Sequence, residues 1–229
     1  FNADQPAHKA FRALLSERTN SVVAWIGSGF SQEAGLPSWR ELRECVTDAL
    51  QEKIRSLSPD AAAEANAKCV AAKAEQCHWV AFDILKAALG GASYRDTVRD
   101  ALRRAVTVAV PEMYATLWKL RLGGVLSLNL DRLASRAHSE VLAGRALHEF
   151  SGLQAGQHVH LLKSPTPFVV NLHGIAEDES SWVLTHSEMK ALMNTPGYRE
   201  FVRSTIASRT ILFVGVCRLT RSLPRRFPN

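Results

Sequence analysis

Ser21-Val-Val-Ala-Trp-Ile-Gly-Ser-Gly-Phe-Ser-Gln-Glu-Ala-Gly-Leu-Pro-Ser-Trp-Arg40 is the stretch whose reading decides the fold. An apolar run from Val22 to Ile26 has the composition of a buried strand and meets Gly27-Ser28-Gly29. A loop with a further glycine, Gly35, then opens a helix at Ser38. Strand, small-residue turn and helix in that order make a phosphate cradle, because glycines let the backbone approach a pyrophosphate and amides point at it. The usual dinucleotide fingerprint is incomplete, since Gln32 stands where the third glycine of Gly-x-Gly-x-x-Gly belongs. No acidic residue caps a second strand about twenty positions on, where the sequence reads as helix. The loop therefore belongs to another nucleotide scheme or to none.

A chain of 229 residues, 46% of them apolar, suits one large α/β domain or a domain with a subdomain, and supplies a sizeable core. No run approaches the roughly 18 apolar residues of a membrane span. The chain opens at Phe1 without methionine and without a basic-then-apolar leader, which reads as a processed or trimmed start. Cys45, Cys69, Cys77 and Cys217 form no Cys-x-x-Cys pair, which argues against a zinc ribbon and against a secreted disulfide framework. A cytoplasmic protein with reduced thiols is the expectation. The net charge of +6 is confined: Arg199 to Asn229 holds seven arginines and one acid, a surplus equal to the whole net charge. Such a patch reads as a solvated terminus rather than a nucleic-acid groove.

Along the chain, Ala7 to Thr19 has the apolar spacing of an amphipathic helix. Ser38 with Glu41 forms a capping box for a helix to Ile54, and Ser58-Pro59 starts another that runs to Gln76. His78 to Leu89, Ser93 to Val106 and Pro111 to Arg121 follow as helices. That is too much helix for a plain βαβ crossover, so an inserted helical subdomain is expected at 55–108. Val125 to Leu128 reads as a buried parallel strand, followed by helix from Arg132 to Leu142. Strands are expected at Leu147–Phe150, Val159–Lys163, Pro167–Leu172, Trp182–Thr185 and Thr210–Val214, with helices at His186–Met193 and Pro196–Ala207.

An open α/β sheet keeps its ligand outside the carboxyl ends of its parallel strands. Polar residues follow three of the expected strands there: Gly27-Ser28-Gly29, Asn129 with Asp131, and His173-Gly174; the last strand adds Gly215. Each alone has a bland explanation. Asp131 could simply cap the next helix, and His173 could be a turn histidine whose hydrogen bonds are met. Arg40 reaches either a phosphate or Glu44 one turn on. His158 and His160 alternate but lack a third metal ligand, and the five tryptophans read as packing.

Taken together, these elements resemble the Sir2 (sirtuin) superfamily. Gly27-Ser-Gly-Phe-Ser31 with Ala34-Gly-Leu-Pro-Ser-Trp-Arg40 is similar to its Gly-Ala-Gly-x-Ser…Ala-Gly-Ile-Pro-x-Phe-Arg signature. Leu128-Asn-Leu-Asp131 resembles the Gln/Thr-Asn-x-Asp element, Leu172-His-Gly174 the Leu-His-Gly that carries the catalytic histidine, and Phe213-Val-Gly215 the strand whose end holds a ribose. The order and spacing agree over residues 20–216. Deacylating sirtuins carry a four-cysteine zinc ribbon after the histidine, and no cysteine lies between His173 and Cys217. The helical insertion instead looks like the Sir2-like domains of bacterial anti-phage systems.

The resemblance implies one Sir2-like domain over 1–229: a Rossmann-like parallel sheet flanked by helices, with the inserted helical subdomain and no zinc ribbon or other metal. It implies an NADase that cleaves NAD+ to nicotinamide and ADP-ribose, working as a homo-oligomer or with a separate sensor protein, away from membranes and nucleic acid. Asn129 and His173 would carry the chemistry, with Asp131 holding the loop or the nicotinamide side. Gly27, Ser28, Gly29, Phe30, Ser31, Arg40 and Gly215 would hold phosphates and ribose. After Gly215 the family has a Gly-x-Ser turn, a helix and a strand, whereas this chain continues Val216-Cys217-Arg218 into an irregular basic tail at 216–229, which reads as a truncated or frame-shifted end. That tail motivates the other reading, a module that binds NAD+ or ADP-ribose without turnover.

Overall fold

The computed structural model of the chain describes residues 5–17 and 21–215, so the expected basic tail lies outside the described residues. Five strands, β1 (Val22–Ile26), β2 (Gly124–Ser127), β3 (His148–Ser151), β4 (Phe168–Asn171) and β5 (Thr210–Val214), form one sheet in the order β3-β4-β2-β1-β5. Every neighbouring pair is parallel. The helices around it are α1 (Pro6–Glu17), α2 (Trp39–Ile54), α3 (Pro59–Ala74), α4 (His78–Leu89), α5 (Gly91–Leu102), α6 (Glu112–Trp118), α7 (Leu133–Val141), α8 (His186–Asn194) and α9 (Pro196–Ser208). The α/β fold with a parallel, helix-flanked sheet read from the sequence is the fold the chain adopts.

Two apolar layers hold the helices to the sheet, and the period-2 alternation of strand side chains sorts residues between them. Val22, Ala24 and Ile26 of β1 join Leu42, Val46 and Leu50 of α2 and Leu133 and Ala137 of α7. Val23, Leu126 and Val170 turn the other way, onto Leu192 of α8 and Tyr198 and Phe201 of α9. Each fully buried branched or aromatic side chain contributes roughly 1.5–3 kcal/mol to holding the layers together. Residues 55–108 supply α3, α4, α5 and a 3-10 turn, Arg103–Val106. Their buried side chains, Cys69, Phe82, Leu85 and Val98 among them, join the cluster that covers β1. Ser38 caps α2 in the reciprocal manner its sequence announces: its hydroxyl accepts from the Glu41 amide, and the Glu41 carboxylate accepts from the Ser38 amide at 2.7 Å.

Two expected strands are replaced. Val159–Lys163 belongs to a 3-10 run, Gly152–Lys163, opened by a Ser151–Gln154 capping box. Its buried or half-buried positions Gly152, Ala155, His158, Val159, Leu161 and Leu162 fall on one face at a three-residue repeat, not on the alternating positions of a strand. Trp182–Thr185 forms no strand because its amides are committed elsewhere. The Leu184 and Thr185 amides donate to the Glu188 carboxylate at 2.9 and 3.0 Å, capping α8, and only Val183 bonds laterally, to the His173 carbonyl at 2.9 Å.

The register matters most for function. Ser151, Asn171, Ser127, Ile26 and Val214 stand opposite one another, so the strands finish in one row at their carboxyl ends. Whatever follows each strand is delivered to the same edge. The connections there are tight: a Cβ on Gly152 would stand 2.4 Å from the Leu172 carbonyl oxygen.

Gly152→Ala is expected to cost about 2–3 kcal/mol in urea unfolding, since neither backbone can give way. Gly144→Ala, at φ +78° but in open space, is expected to cost about 1 kcal/mol from its left-handed backbone alone. Equal losses would show that the close approach at Gly152 is not a constraint.

Candidate active site

The glycine loop is fastened to the end of β5 before it can meet any ligand. The Gly27 amide donates to the Val214 carbonyl at 3.3 Å and the Gly29 amide to the Gly215 carbonyl at 3.2 Å. Gly215 takes a left-handed φ of +63°. A Cβ on Gly29 would lie 2.8 Å from the Gly215 oxygen, and one on Gly215 would lie 2.8 Å from the Phe30 nitrogen. Both glycines are thus needed for backbone to touch backbone. The Phe30 and Ser31 amides close short turns onto the Gly27 and Ser28 carbonyls, at 2.9 and 3.0 Å. The amides of Gly27, Gly29, Phe30 and Ser31 therefore hold protein partners, and the Phe30 ring is buried edge-on against Tyr114 with centroids 4.7 Å apart.

Ser31, Asn129 and Asp131, a hundred residues apart in sequence, meet below that loop. The Asn129 carboxamide nitrogen donates to the Gly27 carbonyl at 3.0 Å and to the Ser31 hydroxyl at 2.6 Å. The Ser31 hydroxyl donates to Asp131 Oδ2 at 2.7 Å, and Tyr114 Oη stands 2.7 Å from the same Ser31 oxygen. Asp131 Oδ1 accepts from the Leu133 amide at 3.0 Å, so this carboxylate fixes the start of α7 as well as the loop. All four side chains are buried. Burial pushes the Asp131 carboxyl up, opposed by the hydrogen bonds from Ser31 and Leu133. Both amide hydrogens of Asn129 are taken, while its Oδ1 is buried with no partner among the described residues. An orphaned buried acceptor is costly and marks a place where a donor is expected.

Beside this cluster lies a small, partly open cleft lined by Ser28, Ser31, Pro37, Trp39, Asn129 and Asp131 among others. His173 is not in its lining. Leu172, the residue after β4, leads into it, and its ring packs against two indoles that also touch each other at 5.1 Å: Trp39 meets it edge-on at 5.6 Å and Trp79 of α4 at a tilt at 4.7 Å. His173 is only 5% exposed, and its Nδ1 has no partner among the described residues. This dry enclosure pushes its pKa down to about 3, by desolvation of the charged ring. Trp39 thus stands between the cleft and the histidine. Arg40 lies on the surface, paired with Glu44 at 3.1 Å.

The sequence placed the right strand ends at one edge but missed three side chains. Tyr114 sits on α6 with no motif around it, so nothing in the sequence marks it. Trp39 follows the Ser38 cap within the opening stretch and could have been flagged by that position. Trp79 comes from the helices between β1 and β2, and only the fold brings it to His173. Asn171 also ends its strand fully buried with an unpartnered Oδ1. Among the described residues no group of three or more His, Cys, Asp or Glu is placed to hold a metal ion, and no helix is long and apolar enough to cross a membrane.

No curated protein matches the chain. A family model described as a SIR2-like domain matches residues 124–219, the part that carries β2, Asn129, Asp131, His173 and Gly215. With the glycine loop brought against those residues by the fold, this match supports membership of the Sir2 superfamily for the chain.

Proposed function

We propose that the chain is an NAD+ glycohydrolase, cleaving NAD+ to nicotinamide and ADP-ribose at the carboxyl edge of the sheet. The observation that carries this reading is the Asn129 carboxamide, locked by Gly27 and Ser31 beside a cleft behind a glycine loop, with a buried Oδ1 that has no partner among the described residues. The SIR2-like match supports an NAD-related module. In that reaction the bond from ribose C1′ to the nicotinamide nitrogen breaks, nicotinamide leaves neutral, and water adds to C1′. Asn129 Oδ1 would accept a hydrogen bond from that water or a ribose hydroxyl and set its direction. His173, neutral in its enclosure, would take the proton that water gives up. Ser28 would face the phosphates, while Arg40 would have to leave Glu44 to reach one. Asp131 holds the loop. In this reading the protein depletes NAD+ as an effector of prokaryotic anti-phage defence, switched by homo-oligomerisation or by a separate sensor protein.

Two observations favour a second reading, a module that binds NAD+ or ADP-ribose without turnover: the loop amides already hold protein partners, and His173 is sealed off from the cleft. A base with a pKa near 3 is weak, so turnover requires Trp39 or Trp79 to move and let water and substrate reach the ring.

Nicotinamide release from NAD+ by the purified protein separates the two. The enzyme reading expects turnover that falls at least about a hundredfold in both Asn129→Ala and His173→Ala. Saturable NAD+ binding without nicotinamide release, in the protein alone and with its activating partner, leaves the binding module.

Trp79→Ala should admit water to the histidine and raise the midpoint of the His173 ring titration, followed by NMR, from about 3 toward its ordinary 6.5. An unmoved midpoint would mean that Trp79 does not seal the site.

A further inference from the structure

Tyr114 is the one member of the buried cluster that comes from α6, and neither the sequence motifs nor the cleft points to it. Its phenol is fully buried, and it touches two successive residues of the glycine loop: its ring meets Phe30 edge-on, and its hydroxyl stands 2.7 Å from Ser31 Oγ.

The direction of that last hydrogen bond follows from counting. A serine hydroxyl has one hydrogen and two acceptor sites. The Asn129 carboxamide nitrogen can only donate, so it occupies one acceptor site of Ser31. The Ser31 hydrogen goes to Asp131 Oδ2. What remains is the second acceptor site, and Tyr114, whose hydroxyl also lies near Asn129 and Asp131, is placed to donate into it. Ser31 then makes all three of its hydrogen bonds, each to a different segment: the end of β2, the start of α7 and α6. Because a hydroxyl that both gives and receives is polarised by its partners, the Tyr114 donor and the Asp131 acceptor together orient the site that receives Asn129.

We infer that Tyr114 is a positioning residue of the NAD+ site: by donating to Ser31 it fixes the orientation of the Asn129 carboxamide beside the cleft. The inference rests on the glycohydrolase reading for its effect on turnover, but the contact itself makes a prediction that does not need turnover. Tyr114 touches no substrate in this scheme; it acts through Ser31.

The test is a double-mutant cycle of Tyr114→Phe and Ser31→Ala, read in two ways. Phenylalanine keeps the ring against Phe30 and removes only the donor, so the fold is retained and the NMR spectrum of the variant reports this directly. The first readout is kinetic. Tyr114→Phe should lower kcat for nicotinamide release about tenfold, the worth of one hydrogen bond realised at the transition state, with KM little changed. In the Ser31→Ala background the same change should cost less than about twofold, because its target is gone. The second readout is the pair of Asn129 side-chain amide proton resonances, identified by their loss in Asn129→Asp. Tyr114→Phe should shift them in the parent and leave them in place in Ser31→Ala. Equal kinetic losses in both backgrounds, or Asn129 amide protons that ignore Tyr114→Phe, would overturn the inference. A parent protein that binds NAD+ without turning it over would sink the glycohydrolase reading alone, since the amide protons still report whether Tyr114 acts on Asn129 through Ser31.

Discussion

The site depends on one oxygen atom. Ser31 Oγ receives Asn129 and Tyr114 and gives its hydrogen to Asp131, with all four groups out of water. Each of these hydrogen bonds is worth only about 1 kcal/mol net, but leaving a buried partner unmatched costs up to about 3 kcal/mol. That asymmetry makes the cluster cooperative. Moving any one of the segments that supply it strands the groups of the others. The glycine loop, the end of β2, the start of α7 and α6 are therefore held in one geometry by polar contacts, where the surrounding apolar layers would tolerate small slips.

The sheet makes this meeting possible. Parallel strands ending in a common row place Gly27, Leu128, Leu172 and Gly215 as the next residues along one edge. From there Asn129 and His173 each stand two residues beyond the paired row residues Ser127 and Asn171, and their neighbours decide the environment. Asn129 lies at the cleft with an acceptor to spare, whereas His173 continues under α2 and α4 and is closed in by Trp39 and Trp79. Both residues carry an unpartnered buried polar atom, and so does Asn171 in the row itself. Other unpartnered buried polar atoms among the described residues belong to His78, Tyr94, Ser135 and His138, away from this row.

Much of this was legible from local patterns. Apolar runs that end in Gly-Ser-Gly, Asn-Leu-Asp and His-Gly announced the strands and their carboxyl ends, because buried parallel strands are continuous apolar runs and the edge is the first polar position after them. The Ser38–Glu41 cap was readable because its chemistry is complete within four residues. The errors arose where a pattern had two owners. His158 and His160 suggested alternation, yet the segment buries one face, at a three-residue repeat, against α9. Trp182 to Thr185 has strand composition, yet Glu188 takes the amides of Leu184 and Thr185. Tyr114 and Trp79 were not legible at all, since their roles depend on contacts made 83 residues away to Ser31 and across the fold to His173.

The helices between β1 and β2 bind these observations together. They extend the apolar cluster beneath α2, and they also send Trp79 over the histidine. Lys86 of the same helix pairs with Glu188 at 2.5 Å, and Asp83 accepts from the Ser187 amide at 3.0 Å, so α4 is tied to the start of α8. Glu188 in turn caps the segment whose Val183 holds the His173 carbonyl. The covering of His173 is thus built into the same contacts that order the chain after it. A movement of α4 large enough to uncover the ring must also loosen α8, so access to His173 and the order of the segment beyond it are coupled by construction.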